Sequence, residues 1–441
     1  MIDSRQLIRE RIGLLSLICF HIVVCCISLV CISQIYPEYH IFYRSAGLPG
    51  AVTVITAFAL ISFLFVCAEF SFGYLVGFYF YTMVTGYLWL NYFSEFNYNH
   101  QLTGFSAAAW AIVFLLPALF IRSPVRQIWI LSTSAFDRLL SVILLVAVAT
   151  VAVGAAYNFR FVVLDNDVYT FRGTLNFPTI LNYLIGITSS TLLPFAFACF
   201  VERKNLWRAG AVLILLLLFY PIILSKLVFF SPAWLVVMAL LSKVFEVRIV
   251  VVLSLFVPLA AGVILFVLFK SDVIPDKAAI PYFSLINFRM IAIPSMAMDY
   301  YNEFFARHDL TYFCQISLLK PFVSCPYQEQ LGIVIYKAFG IGGNFNASLF
   351  ATEGIASVGA VFAPVAVFVC GLVIALGNRL SAGLPARFIL ISGAILPHIL
   401  LNVPLTTTLL THGAAILFLL WYVTPRTMFK QSASKQTALA C

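Results

Sequence analysis

The sequence predicts an all-α polytopic membrane protein from three observations: its composition, its block-like hydropathy and the placement of its few charges. Apolar residues make up 63% of the 441 residues and charged ones 10%, where soluble domains carry about 45–50% and about 25%. A mean hydropathy of +1.03 makes lipid the solvent for most of the length. These figures exclude a soluble enzyme, a disordered chain, a collagen and a disulfide scaffold. The apolar residues run in blocks of about 15–25 and do not alternate, which argues against an outer-membrane barrel.

Twelve apolar blocks, bounded by charges, Pro/Gly or polar clusters, predict the helices in order. They are about 13–33, 51–68, 74–93, 106–121, 139–157, 179–200, 209–224, 228–242, 249–269, 349–376, 388–403 and 407–423. The first follows Arg5, Arg9 and Arg11 and runs about 21 residues with no small-x-small cleavage site after it. It therefore reads as a retained helix rather than a signal peptide. Residues 1–441 form a single integral membrane domain, with one long connection at 271–348 and a polar cytoplasmic tail at 425–441.

Orientation follows from the basic residues. With the N-terminus in the cytoplasm, sixteen of the 26 face inward and ten outward, six of the ten in or beside the 271–348 connection. Long connections do not count in the positive-inside rule. The short ones place both termini inside, and an even helix count agrees. The net charge of +9 is thus a topology signal and no reason to expect nucleic acid. The inner loops are too short for a nucleotide-binding domain and carry no Walker-type or G-x-G-x-x-G pattern.

Seven cysteines fall in the apolar blocks, where a free thiol behaves as a small apolar residue. Cys314 and Cys325 lie eleven positions apart in the outer connection, in a compartment that permits disulfides. They read as a bridge, with two free thiols as the alternative. There is no CxxC or HExxH pattern, so neither a bound metal nor another cofactor is expected.

In a chain so poor in charge, ionisable groups near the outer surface mark candidate chemistry. Four places qualify. RFVVLDNDVYTFR, from Arg160 to Arg172, mixes two arginines with Asp165 and Asp167. Lys226, in PIILSKLVFFSP, sits between two short blocks that draw its turn into an indentation, or else snorkels to lipid phosphates. PYFSLINFRMIAIPSMAMDYYNEFFARHD reads as an amphipathic segment along the interface, with Tyr300 and Tyr301 among the aromatics at headgroup depth. Its Arg289 is poised for a phosphate or, alternatively, for a salt bridge to Asp299 or Glu303. The fourth place is the C-terminal part, where Glu353 opens helix ten, His398 lies inside helix eleven and His412 follows a short outer turn. There, Ala356 and Ala360 are spaced for close helix packing, and Asn346 reads as a helix cap. A helix-to-helix hydrogen bond is the plainer role for His398.

These stretches resemble the Wzy-type polymerases of O-antigen and capsule repeat units, within the wider group of multi-pass lipid-linked glycosyltransferases. The likeness rests on SKLVFFSP around Lys226, on FRMIAIPSMAMDYYNEFF around Arg289, and on GGNFNASLFATEGIASVGAVFAP with PLTTTLLTHG. The plan of about a dozen helices with one large late outer loop is similar too. The resemblance implies a GT-C-like fold in a bacterial inner membrane, with the long connection periplasmic. It implies undecaprenyl-diphosphate-linked oligosaccharides as donor and acceptor, the lipid bilayer as surroundings and a chain-length-regulating co-polymerase as a further partner. A hydroxyl of the acceptor sugar then attacks the anomeric carbon of the donor and expels the lipid diphosphate. The roles that follow are cations for the diphosphate from Arg289, Lys226, Arg172 and Arg160, and a general base from His412 or Glu353. Tyr300, Tyr301 and His398 would line the glycan. A glycolipid flippase and an O-antigen ligase are the rival expectations.

Overall fold

A computed structural model describes residues 4–162, 171, 175–316, 319–341, 345 and 350–429. The chain begins with α1 (Ser4–Ile35), α2 (Leu48–Ala59), α3 (Ser62–Cys67), α4 (Phe72–Phe93) and α5 (His100–Phe120). There follow α6 (Thr133–Tyr157), α7 (Thr179–Ile187), α8 (Leu193–Glu202), α9 (Leu206–Leu218), α10 (Tyr220–Ile223) and α11 (Lys226–Val244). Then come α12 (Val247–Lys270), α13 (Asp276–Phe283), α14 (Ile293–Phe305), α15 (Leu331–Phe339) and α16 (Ala351–Ser381). The chain closes with α17 (Ala386–Gly393), α18 (Leu396–Leu400), α19 (Leu405–Leu410) and α20 (Ala414–Val423). Single π-helical stretches join α7 to α8 (Thr188–Leu192) and α13 to α14 (Ser284–Ala292). Among the described residues there is no β-strand, and nine helical stretches are long and apolar enough to cross a membrane. The protein is therefore an all-helical polytopic membrane protein.

The described chain divides into two compact units. The first comprises residues 1–121, 248–375 and 400–405. Its axis is α4, a 22-residue helix rich in aromatics and covered round nearly its whole circumference. Covered so, it needs less apolarity than a lipid-facing helix and is not among the nine. Arg248 at the start of α12 donates to the Ala68 carbonyl at 3.1 Å, which brings that end beside the α3–α4 turn.

The 276–305 stretch departs from the expected interfacial segment. Its described bonds fall on the halves of neighbouring helices that end at Ile35, Phe93 and Lys270. Asn287 donates to Ser28 Oγ at 2.8 Å and to the Leu259 carbonyl at 2.9 Å. Ser295 donates to the Met83 carbonyl at 3.1 Å, and Tyr300 to that of Tyr39 at 2.8 Å. The stretch thus enters and leaves on one face of its unit without crossing it. From Pro294 to Phe305 nearly every side chain is buried. Tyr300 and Tyr301 are 0% and 3% exposed, so they stand in the protein core and not on a lipid-facing surface. The reason is that polar tips are answered inside: each tyrosine hydroxyl donates to a backbone carbonyl.

Helix ten differs as well. Within α16 the chain breaks at Gly359 (φ 73°, ψ 169°), a conformation open to glycine alone. The residues before the break fold back on those after it, so that Gly354 abuts Ala363. Ala356 and Ala360, expected to share one helix face, lie on either side of the reversal.

The second unit comprises residues 122–247, 376–399 and 406–441. Ion pairs join Arg203 to Asp137 and Arg387 to Glu202, the latter at 3.1 Å. Arg426 donates to the carbonyls of Leu380 at 2.8 Å and Thr424 at 2.7 Å. The ends at Thr133, Glu202, Ser381 and Val423 therefore share a face. The predicted helices 388–403 and 407–423 are both interrupted, the first between α17 and α18, the second at Gly413 (φ 76°) between α19 and α20.

Candidate functional site

A polar cluster of the first unit sits at the Phe93 end of α4. Ser94 leaves the helix in an extended conformation, and the six residues to Asn99 turn the chain into α5. This turn encloses Asp299. Tyr98 donates to one carboxylate oxygen of Asp299 in a short hydrogen bond, and Ser94 donates to the other at 2.9 Å. Tyr98 also reaches Asn91 Oδ1 at 3.0 Å, and Asn91 donates to the His100 carbonyl at 2.9 Å. Both ring nitrogens of His100 face oxygens: Asn91 Oδ1 at 3.1 Å and the Phe96 carbonyl at 2.8 Å. One turn on, Glu303 accepts the Asn97 N–H at 2.8 Å and pairs with Arg307 at 3.0 Å.

Asp299 is 3% exposed. Burial lifts its carboxyl from 3.8 to about 6; the Tyr98 and Ser94 donors and His100 pull it down, and Glu303 adds to the rise. A buried carboxyl able to change protonation near neutrality is the kind of group that general acid–base chemistry uses.

A second carboxyl belongs to the short helical arm before Gly359. Glu353, in the first turn of α16, accepts the Leu405 N–H at 3.3 Å. Burial pushes the Tyr301 phenol up, and the Glu353 charge adds to that, so the two side chains are electrostatic neighbours. The carbonyls freed at the break are capped from outside the helix. Thr311 N–H donates to Ala356 at 2.8 Å, Tyr312 N–H to Ser357 at 3.1 Å, and Ser106 Oγ in a short bond to Ala360. Two residues after Tyr312 begins a loop closed by the Cys314–Cys325 disulfide, with Cα atoms 5.3 Å apart.

The residues singled out in the sequence fall into two groups. Arg289, Tyr300, Tyr301 and Glu353 belong to the first unit; Arg160, Lys226, His398 and His412 belong to the second. Arg172 and Asn346 lie outside the described residues, as does the tail beyond Phe429. Arg289 is exposed on the π-helical stretch. Of the two acids considered for it, Glu303 pairs with Arg307, and Asp299 is held by Tyr98 and Ser94. Lys226 is the half-buried first residue of α11. The Arg160 guanidinium lies over the Phe171 ring, 5.8 Å from its centre.

The two histidines sit deeper than expected. His412 Nδ1 is 3.3 Å from Ser190 Oγ, and Thr191 donates to the His412 carbonyl at 2.8 Å. Ser190 is eleven residues from the start of α7, about 16 Å along the helix at 1.5 Å per residue. His398 meets the Trp234 ring edge-on at 4.7 Å, eight residues into α11. Both rings thus pack against helix middles, where a helix-to-helix role suits them better than work on a charged headgroup.

Sequence reasoning named Asp299 only as an ion partner for Arg289 and passed over Tyr98, Ser94 and His100. A signal was present in the run NYFSEFNYNH, which packs polar and aromatic residues densely at a helix end. No family model matches this chain, and neither a curated protein nor a solved structure matches it.

Proposed function

We propose that this chain is a Wzy-type polymerase of the GT-C-like kind. In this reading it joins undecaprenyl-diphosphate-linked oligosaccharide repeats into a surface polysaccharide at the periplasmic face of a bacterial inner membrane. The nine long apolar stretches, with α4, α17–α18 and α19–α20, make twelve crossings and leave both termini cytoplasmic. The face on which Ile35, Phe93 and Lys270 end is then periplasmic. The observation that supports the reading best is the pair of carboxyls, Asp299 and Glu353, held at that face by a non-crossing stretch and a broken helix.

The chemistry needs an acceptor hydroxyl to lose its proton while its oxygen bonds to the anomeric carbon of the donor. The glycosidic oxygen leaves on the lipid diphosphate with the bonding electrons. Glu353 or Asp299 takes the proton. Arg289 and Arg307, on the same stretch as Asp299, offset the charge that develops on the diphosphate. His412 is relieved of the base role by its depth.

A second reading, a flippase for the same glycolipid, draws on one observation. The second unit carries a π-helical stretch, two interrupted helices and an embedded histidine, and transporters build their sites from such discontinuous helices. Deleting the gene and running the surface polysaccharide on a gel separates the two. A polymerase leaves single repeats on the surface lipid; a flippase leaves none. Plasmids carrying Glu353→Gln or Arg289→Ala, expressed at the normal level, should leave single repeats, whereas His412→Ala should restore long chains. Full-length polymer from both Glu353→Gln and Arg289→Ala removes the proposed site.

A further inference from the structure

The first unit contains an apolar groove that none of the polar chemistry uses. Its volume is about 530 Å³, and its walls include Ile22, Val23 and Cys26 of α1 and Val52, Ile55 and Thr56 of α2. The groove exists because α1 and α2, consecutive and antiparallel, each pack more extensively on α4 than on one another. Along α1 it runs from Cys19 to Val30, about 16 Å at 1.5 Å per residue. It is open along one side, where Val23 and Val52 remain about half exposed. Both walls belong to stretches apolar enough to span a membrane, so the opening faces hydrocarbon.

The two ends of the groove differ. At one end Tyr43 and Trp89 line it, their rings near parallel and 6.5 Å apart, as aromatics do at a membrane–water boundary. The next residue, Arg44, is 67% exposed and paired with Glu95. An exposed ion pair is worth little, so a diphosphate, with more charge and more acceptors, can take Glu95's place. The other end of the groove carries no charged residue. Cation, aromatic collar and apolar slot follow in the order of phosphate, boundary and hydrocarbon in a membrane lipid. Glu95 also stands in the turn whose neighbours Ser94 and Tyr98 hold Asp299, so a headgroup at Arg44 lies beside the candidate site.

We propose that this groove binds the single isoprenoid chain of a polyprenyl-diphosphate lipid, with the diphosphate at Arg44. An isoprenoid lipid brings one chain to the slot, where a bulk phospholipid would bring two. The proposal rests on the polymerase reading for the identity of the lipid, and its test does not depend on polymer formation.

The full-length protein is reconstituted in nanodiscs of phosphatidylethanolamine and phosphatidylglycerol, and undecaprenyl diphosphate is added. Binding is read by native mass spectrometry. The wild type should retain undecaprenyl diphosphate against excess phospholipid. Val23→Trp and Val52→Trp, which fill the slot, should each weaken retention at least tenfold. Leu145→Trp, at a lipid-exposed position of α6, should change nothing and controls for added bulk. Arg44→Gln should weaken undecaprenyl diphosphate but leave neutral undecaprenol unaffected, and Glu95→Gln should strengthen the diphosphate. Unchanged retention in both tryptophan variants, with melting temperatures like the wild type, overturns the proposal. So does displacement of the lipid by phosphatidylglycerol at equal concentration. If a tryptophan variant does not fold, the Arg44→Gln and Glu95→Gln pair decides, since both lie on the exposed surface. A deletion strain without the polymerase phenotype, together with groove binding as described, would sink the polymerase reading and keep the groove. The reverse pattern would sink the groove alone.

Discussion

Asp299 shows how far one residue's role depends on its surroundings. In the sequence it is one acid in an aromatic-rich stretch, read only as a salt-bridge partner for Arg289. Its cover comes from Tyr98 and Ser94, 201 and 205 positions earlier, a distance that no local pattern reports. Because burial raises its carboxyl from 3.8 to about 6, the folded protein holds a proton where the unfolded chain has released it. The folded state then binds more protons, so stability falls as pH rises from about 4 to about 6. Asp299→Asn should flatten that slope while leaving the melting temperature at low pH close to the wild type. Melting curves in detergent across this range check it, and parallel slopes for the two proteins would dismiss the buried acid. The tyrosines beside it were legible as important; their depth was not. Rings with polar tips suit an interface and a hydrogen-bonded core equally well.

At the scale of elements, long unbroken helices were the most legible feature, since a run of some twenty apolar residues has few other readings. Their interruptions were hidden. Gly359 stands in SVGAVFAP among small residues that suit close helix packing, and a lone glycine does not announce a positive φ. What accompanies the break is capping: the segment just before the Cys314–Cys325 disulfide supplies the Thr311 and Tyr312 N–H groups to carbonyls that a continuous helix would have used itself. Gly359→Ala should therefore cost about 1–3 kcal/mol, through backbone strain alone. Its added carbon would meet nothing nearer than Leu310 at 3.8 Å. Gly210→Ala, inside α9 with open space around it, should instead stabilise by about 0.5–1 kcal/mol. Thermal melting of the two variants in one detergent gives opposite signs; a matching drop in both would mean that Gly359 is an ordinary helix glycine.

For the whole molecule, the positive charges carry the clearest physical message. Several arginines assigned to the inner side close helix ends in the second unit: Arg426 holds the carbonyls of Leu380 and Thr424, Arg387 pairs with Glu202, and Arg203 pairs with Asp137. A guanidinium at a helix C-terminus answers orphan carbonyls and the negative end of the helix dipole at once. These residues therefore fasten one face of that unit besides biasing insertion. Arg289 differs in place: it is exposed within a π-helical stretch that runs on into α14. Among the described residues nine stretches are long and apolar enough to cross, and an odd number would put the ends of the chain on opposite sides. The count returns to twelve, with the termini on one side, if α4, α17–α18 and α19–α20 all cross. Topology reporters test this directly. A fluorescent-protein fusion after Phe429 should glow, because that fold matures in the cytoplasm, and an alkaline phosphatase fusion there should be inactive. Phosphatase fused at Lys320, in the loop held by the disulfide, should be active. An active phosphatase after Phe429 would mean that one, or all three, of the less apolar or interrupted helices do not cross, and the face carrying Asp299 and Glu353 would have to be assigned again.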